Sequence, residues 1–125
     1  MRYMVFVKMP PDVSDAPQAL IEAMGAEMAQ AFADGTMITA GGLGGGDQIV
    51  ELRLTGDSIT TTDGPYAEAK EIVGGFSMIE ARSQEEAVEG ARRVLELHRE
   101  YWPEWQGAVE IRPIWESPNA SPAAG

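Results

Sequence analysis

Cysteine is absent from the 125-residue chain. That gap excludes disulfides, thiolate nucleophiles and cysteine-based metal centres together. It is compatible with a reducing cytoplasm, the compartment we expect. Histidine occurs once, at His98. One imidazole with scattered carboxylates is not a transition-metal ligand set, and the acidic residues lack the spacing of a Ca²⁺ loop. No metal is therefore expected. Without a marked nucleophile turn, a hydrolase triad is not expected either. Basic residues are scarce, nine against twenty acidic ones, for a net charge of −11. Such a surface repels phosphate backbones, and the nearest approach to a basic patch, Arg92-Arg93, is flanked by Glu89 and Glu96. Nucleic acid is not an expected partner. No apolar run approaches the roughly 20 residues needed to span a membrane. The opening MRYMVFVKMPP has no small-residue cleavage site and reads as a first strand, not as a signal peptide.

What is present suits a single folded domain. The composition is 44% apolar and 23% charged, ordinary for a globular protein. We expect the domain to run over residues 1–116. The stretch 117–125, small, polar and proline-containing, is expected to be a disordered tail.

Arg2 to Lys8 is almost continuously apolar and reads as a strand dry on both faces. Asp15 is placed to cap a helix, with Gln18 three residues on and Pro17 in the first turn. Leu20, Met24, Met28, Ala31 and Phe32 recur at helical spacing and read as core packing. Asp34-Gly35 stops that helix. Met37 to Ala40 is a short apolar piece. The glycines that follow, Gly41 to Gly46 around Leu43, come after a helix and lead toward a strand. That is the reverse of a phosphate-binding loop, so a flexible loop or bulged lead-in is expected. Gln48–Leu54 and Ser58–Thr62 form a hairpin about Gly56-Asp57. Ile72 to Ala81 is the next strand, with a bulge or close approach at Gly74-Gly75.

Ser83 and Glu86 make a capping box for a second helix. Its Ala87, Ala91, Val94, Leu95 and His98 share a face, and Glu89 and Arg93 are expected to pair four apart. Pro103 ends it. Ala108 to Glu116 is the last strand, with Val109, Ile111 and Trp115 on one face and Pro113 marking an edge position.

Strand, helix, hairpin, strand, helix, strand makes an α+β chain. Allowing for the hairpin arm, it is a ferredoxin-like split β-α-β arrangement. Two helices cover one face of the sheet, and the apolar residues on the other need a cover. A two-fold homodimer with sheets packed face to face supplies one. A ligand cavity over the open face is the competing reading.

The most informative segment is Asp63-Gly64-Pro65-Tyr66-Ala67-Glu68-Ala69-Lys70-Glu71, a turn signal joined to closely spaced ionisable groups. It resembles the hallmark of the YCII-related family in its DGPF branch, usually written DGPFAETKE. Tyr66 stands for phenylalanine and Ala69 for threonine. MRYMVFVK, Asp34 to Leu43, Gly74-Gly75-Phe76 and Val109 to Pro113 extend the resemblance over residues 1 to about 116. The resemblance implies a dimeric α+β barrel of ferredoxin-like protomers. Relatives on that fold include muconolactone isomerases, small monooxygenases and a dehydrochlorinase. A His–Asp pair proposed for simpler relatives does not carry over, because Asp12 to Gln30 contains no histidine. Members of the branch are often encoded beside extracytoplasmic-function sigma factors, which implies, as an alternative, a non-enzymatic regulatory or protein-interaction module.

The ionisable cluster either staples its loop by ion pairs or lines a cleft. In the second case Asp63 and Glu68 are the acid and base, Lys70 and Arg112 hold an anionic group, and His98 is a secondary catalytic candidate. His98 otherwise packs at a helix end, favoured there by the dipole. Tyr101, Trp102 and Trp105 either plug the core or, with Tyr66, wall an apolar pocket. The expected activity is cofactor-free proton transfer, an isomerisation or elimination, on a small anionic or cyclic molecule.

Overall fold

The computed structural model describes residues 1–11, 15–45, 48–63 and 71–115. The elements in chain order are β1 (Arg2–Met9), α1 (Gln18–Ala33), β2 (Met37–Gly42), β3 (Val50–Thr55), β4 (Ser58–Asp63), β5 (Ile72–Glu80), α2 (Gln84–Tyr101) and β6 (Ala108–Pro113). Four strands form one sheet in the order β2-β5-β1-β6, and β3 with β4 forms a separate two-stranded sheet. Every ladder is antiparallel. This mixed α+β architecture is compatible with a ferredoxin-like fold. The expected tail lies outside the described residues.

Alternation along β1 divides the sheet. Tyr3 and Val5 join Ile79, Ala81 and Ala87 in a buried cluster, with Met37, Val109 and Ile111 packed against it. This is the helix-covered face. Leu20 of α1, Leu97 of α2 and Trp102 form a second buried cluster at the end of the helix pair. Met4 and Phe6 point the other way, beside Met78 and Phe76 of β5. They remain part-exposed. Within one chain, β1 is therefore dry on one face only.

The glycine pair in β5 does bulge. Val7 pairs with Gly75 but Lys8 with Val73, so Gly74 is the extra residue. A side chain at Gly74 would meet Met9. Gly35 closes α1 at φ 83°, a conformation glycine takes without steric cost. In α2 the Ser83 hydroxyl accepts from the Glu86 N–H at 3.2 Å. The returning arm of the box goes to the Arg82 N–H.

Four local expectations are corrected. The α1 cap position is Pro17, whose carbonyl accepts from both Leu20 and Ile21 N–H at 3.1 Å. Among the described residues no side chain caps that end. Proline's fixed φ suits a helix edge, and it moves the start beyond the reach of Asp15. Arg93 does not pair with Glu89. It crosses to Glu27 of α1, Nε to Oε1 3.0 Å, while Glu89 pairs with Arg92. The α1 stripe is also less buried than its spacing implies. Leu20 is buried, Met24, Met28 and Ala31 are half-buried, and Phe32 is exposed. The final strand stops at Pro113, leaving Trp115 84% exposed.

Candidate functional site

The half-buried α1 residues face a space. Between the helices and the sheet lies a cleft of about 440 Å³, within the range that holds small molecules. Met24, Met28 and Ala31 form its α1 wall and Gly90, Ala91, Val94 and Leu97 its α2 wall. Val5, Val7, Ile79 and the Gly75–Ser77 stretch form its floor. Small residues make the room. A Cβ placed on Gly90 would meet nothing within 4 Å, and Gly41, Gly42 and Gly75 thin the far end of the floor.

Five polar residues among those described line this cleft: Glu27, Thr36, Ser77, Glu86 and Arg93. Four have partners within the chain. Glu27 and Arg93 bind each other between the helices. That hydrogen bond raises the Arg93 pKa further above its already high value, with the Glu27 charge adding to it. Arg82 donates to Glu86 from its Nε at 3.0 Å. This side-chain bond, with the Arg82 backbone N–H, lowers the Glu86 carboxyl from its ordinary 4.5. The Thr36 side chain and backbone N–H both bind Asp34, lowering that carboxyl from 3.8. Ser77 is different. Opposite Val5 on one side and Ala40 on the other, its hydroxyl makes no hydrogen bond among the described residues.

The sequence candidates fall in three places. Tyr66, Glu68 and Lys70 lie outside the described residues, as does the side chain of Asp63, whose backbone ends β4. The segment that carries them leads into β5, whose Gly75 and Phe76 line the cleft. His98 and Trp102 sit together at the end of α2, joined by a 2.7 Å bond from the Trp102 N–H to the His98 carbonyl. His98 is buried, its Nδ1 lies 2.8 Å from the Val94 carbonyl, and its ring rests 4.3 Å from that of Trp105. Neither residue lines the cleft. Arg112 is opposite Met4 in the β1–β6 ladder, which puts it on the face away from the helices. The structure therefore does not bring Arg112 and His98 to one site. Among the described residues no group of His, Asp and Glu could hold a metal ion. No helix among them is long and apolar enough to cross a membrane.

Sequence reasoning passed over Ser77, Gly90 and the Glu27–Arg93 pair. Ser77 carried a readable signal, since it is the one hydroxyl on the Gly75, Ser77, Ile79 face of a strand otherwise fit for burial. The cross-helix pair had none, because spacing along one helix says nothing of its neighbour.

Among curated proteins, none matches this sequence. The YCII-related domain, however, matches residues 1–117. With that match across nearly the whole chain, and an antiparallel sheet carrying two helices beneath it, the chain belongs to the YCII-related domain family.

Proposed function

We propose that the protein is a homodimer of the dimeric α+β barrel kind, each protomer binding a small molecule between its helices and sheet. The cleft carries this reading: it is roomy, apolar and floored by strands, so bound atoms would be shielded from water. Asp63 and Glu68 are proposed as the acid and base of a cofactor-free isomerisation or elimination. Lys70 and Tyr66, on the same segment, are proposed to contact the substrate. The way that segment runs into the cleft-lining part of β5 supports the assignment. A carboxylate must come within hydrogen-bond reach of the proton it moves. The test is turnover by Asp63→Asn and Glu68→Gln variants on any substrate found by ligand screening. Full activity in both would remove the proton-transfer assignment.

Two surfaces support the dimer. The open sheet face presents Met4, Phe6, Phe76 and Met78, and no helix among the described residues lies over it. It also carries Arg2, Lys8 and Arg112 against Glu80 and Glu110, so it escapes the acidic excess of the chain. The hairpin adds Val50, Leu52, Leu54 and Ile59 on one face, all 55–69% exposed. A lone two-stranded hairpin is marginal in water, and a second copy covering both surfaces would reach the roughly 1,200–2,000 Å² of a stable interface. Light scattering at micromolar concentration should report twice 13.5 kDa. A stable 13.5 kDa particle would overturn the dimer.

A further inference from the structure

The polar groups around the cleft are unequal, and the inequality selects a ligand. Both carboxylates that reach it, Glu27 and Glu86, already have a guanidinium. The guanidinium that reaches it, Arg93, already has a carboxylate. A charged group seated on the floor beside Ser77 would leave water without meeting a free counter-charge among the described residues, Lys70 being proposed only for the part of the substrate that meets its own segment. Burying an unpaired ion in apolar surroundings is strongly unfavourable. An uncharged ligand avoids that penalty. Ser77 then becomes the decisive group. Its hydroxyl stands in the floor between Val5 and Ala40, without a partner among the described residues. A serine hydroxyl both donates and accepts, so it can hold a carbonyl or an alcohol oxygen equally well.

We infer that the cleft takes an uncharged, mainly hydrocarbon molecule bearing one hydrogen-bonding oxygen, a ketone, ester or alcohol, with Ser77 as the binding residue for that oxygen. The inference rests on the small-molecule reading above and narrows its ligand class. The Glu27–Arg93 pair links the two helices beside the cleft, each charge already answered by the other. Gly90 supplies the room for the hydrocarbon body.

The experiment is calorimetric titration of the full-length chain with octanol, octanoate and octylammonium, with octane as the oxygen-free control. Octanol should bind more tightly than either ion. Ser77→Ala should weaken octanol by about three- to tenfold, the loss of one neutral hydrogen bond, and leave octane unchanged. Gly90→Leu should remove binding of both while the protein stays folded by circular dichroism. If octanoate bound best and lost its affinity in Arg93→Met, the uncharged class would fall while the cleft reading stood. Binding unaltered by Gly90→Leu, or no binding of any of the four to folded protein, would overturn the ligand class and the cleft together.

Discussion

Glu27 and Arg93 come from different helices and meet at 3.0 Å beside the cleft. Both side chains are about half exposed, 48% and 50%. Solvent screens such pairs, so their role in holding the fold is small. Glu27→Gln should leave Tm almost unchanged in thermal melts. A large drop in Tm would mean that the pair clamps the helices together instead.

The hairpin is predicted to be an interface element. Replacing Leu52 or Leu54 by Asp should shift the protein toward monomer in sedimentation velocity. A leucine buried on association contributes about 1.5–3 kcal/mol, so each change should raise the dissociation constant by roughly tenfold or more. Unaltered sedimentation of both variants would place the interface elsewhere.

Helix α2 offers two opposite changes. Ser83→Ala removes the hydroxyl that accepts from Glu86 N–H and should cost about 1 kcal/mol. Gly90→Ala adds a methyl group into open space and should gain about 1 kcal/mol. Urea melts followed by circular dichroism check both, and the changes should be additive because they act through separate features.

Gly107 precedes β6, and a Cβ there would collide with the Trp105 ring and the Lys8 carbonyl. Backbone cannot move aside as a flexible side chain can. Gly107→Ala should therefore destabilise by about 1–3 kcal/mol, the usual range for overpacking. Thermal melting tests this, and an unchanged Tm would show that the turn has room to spare.

Asp34 and Glu86 give the acid limb a defined sign. Both carboxyls are lowered in the folded state, Asp34 from 3.8 by Thr36 and Glu86 from 4.5 by Arg82. Their stabilisation is complete above those ordinary values and is lost as pH falls through the lower, folded ones. Asp34→Asn and Glu86→Gln should each flatten the decline of Tm below about pH 4.5. Equal acid slopes in the variants and the parent would show that neither group contributes.

The sequence exposed the fold well wherever local chemistry set the element. Gly35 and Gly56 both take positive φ, as their turn contexts demand. Ser83 caps its helix, and the bulge falls at the glycine pair. It was less informative wherever two elements had to meet. The methionines of α1 read as core because periodicity identifies a face without saying whether anything fills the space before it. Arg93 was assigned a partner on its own helix, although a neighbouring helix offered another. Of the candidate site, His98 and Trp102 proved to be packed at a helix end and Arg112 to lie across the sheet. Strand parity could have separated Arg112 from the cleft in advance, since it alternates with the inward-facing Ile111. The segment from Gly64 to Lys70 lies outside the described residues, so the roles proposed for Asp63 and Glu68 rest on the sequence and on the strand that follows.

Gly42 and Gly75 are register partners at one end of the sheet, and the hairpin is the chain's excursion between β2 and β5, two adjacent strands. The detour leaves the sheet and returns close to where it departed. Excising it and bridging β2 to β5 with a short turn would spare every rung of the four-stranded ladder. The arm is thus an insertion between two neighbouring strands, and a tag spliced at Gly56-Asp57 would report on its surroundings without breaking the four-stranded ladder.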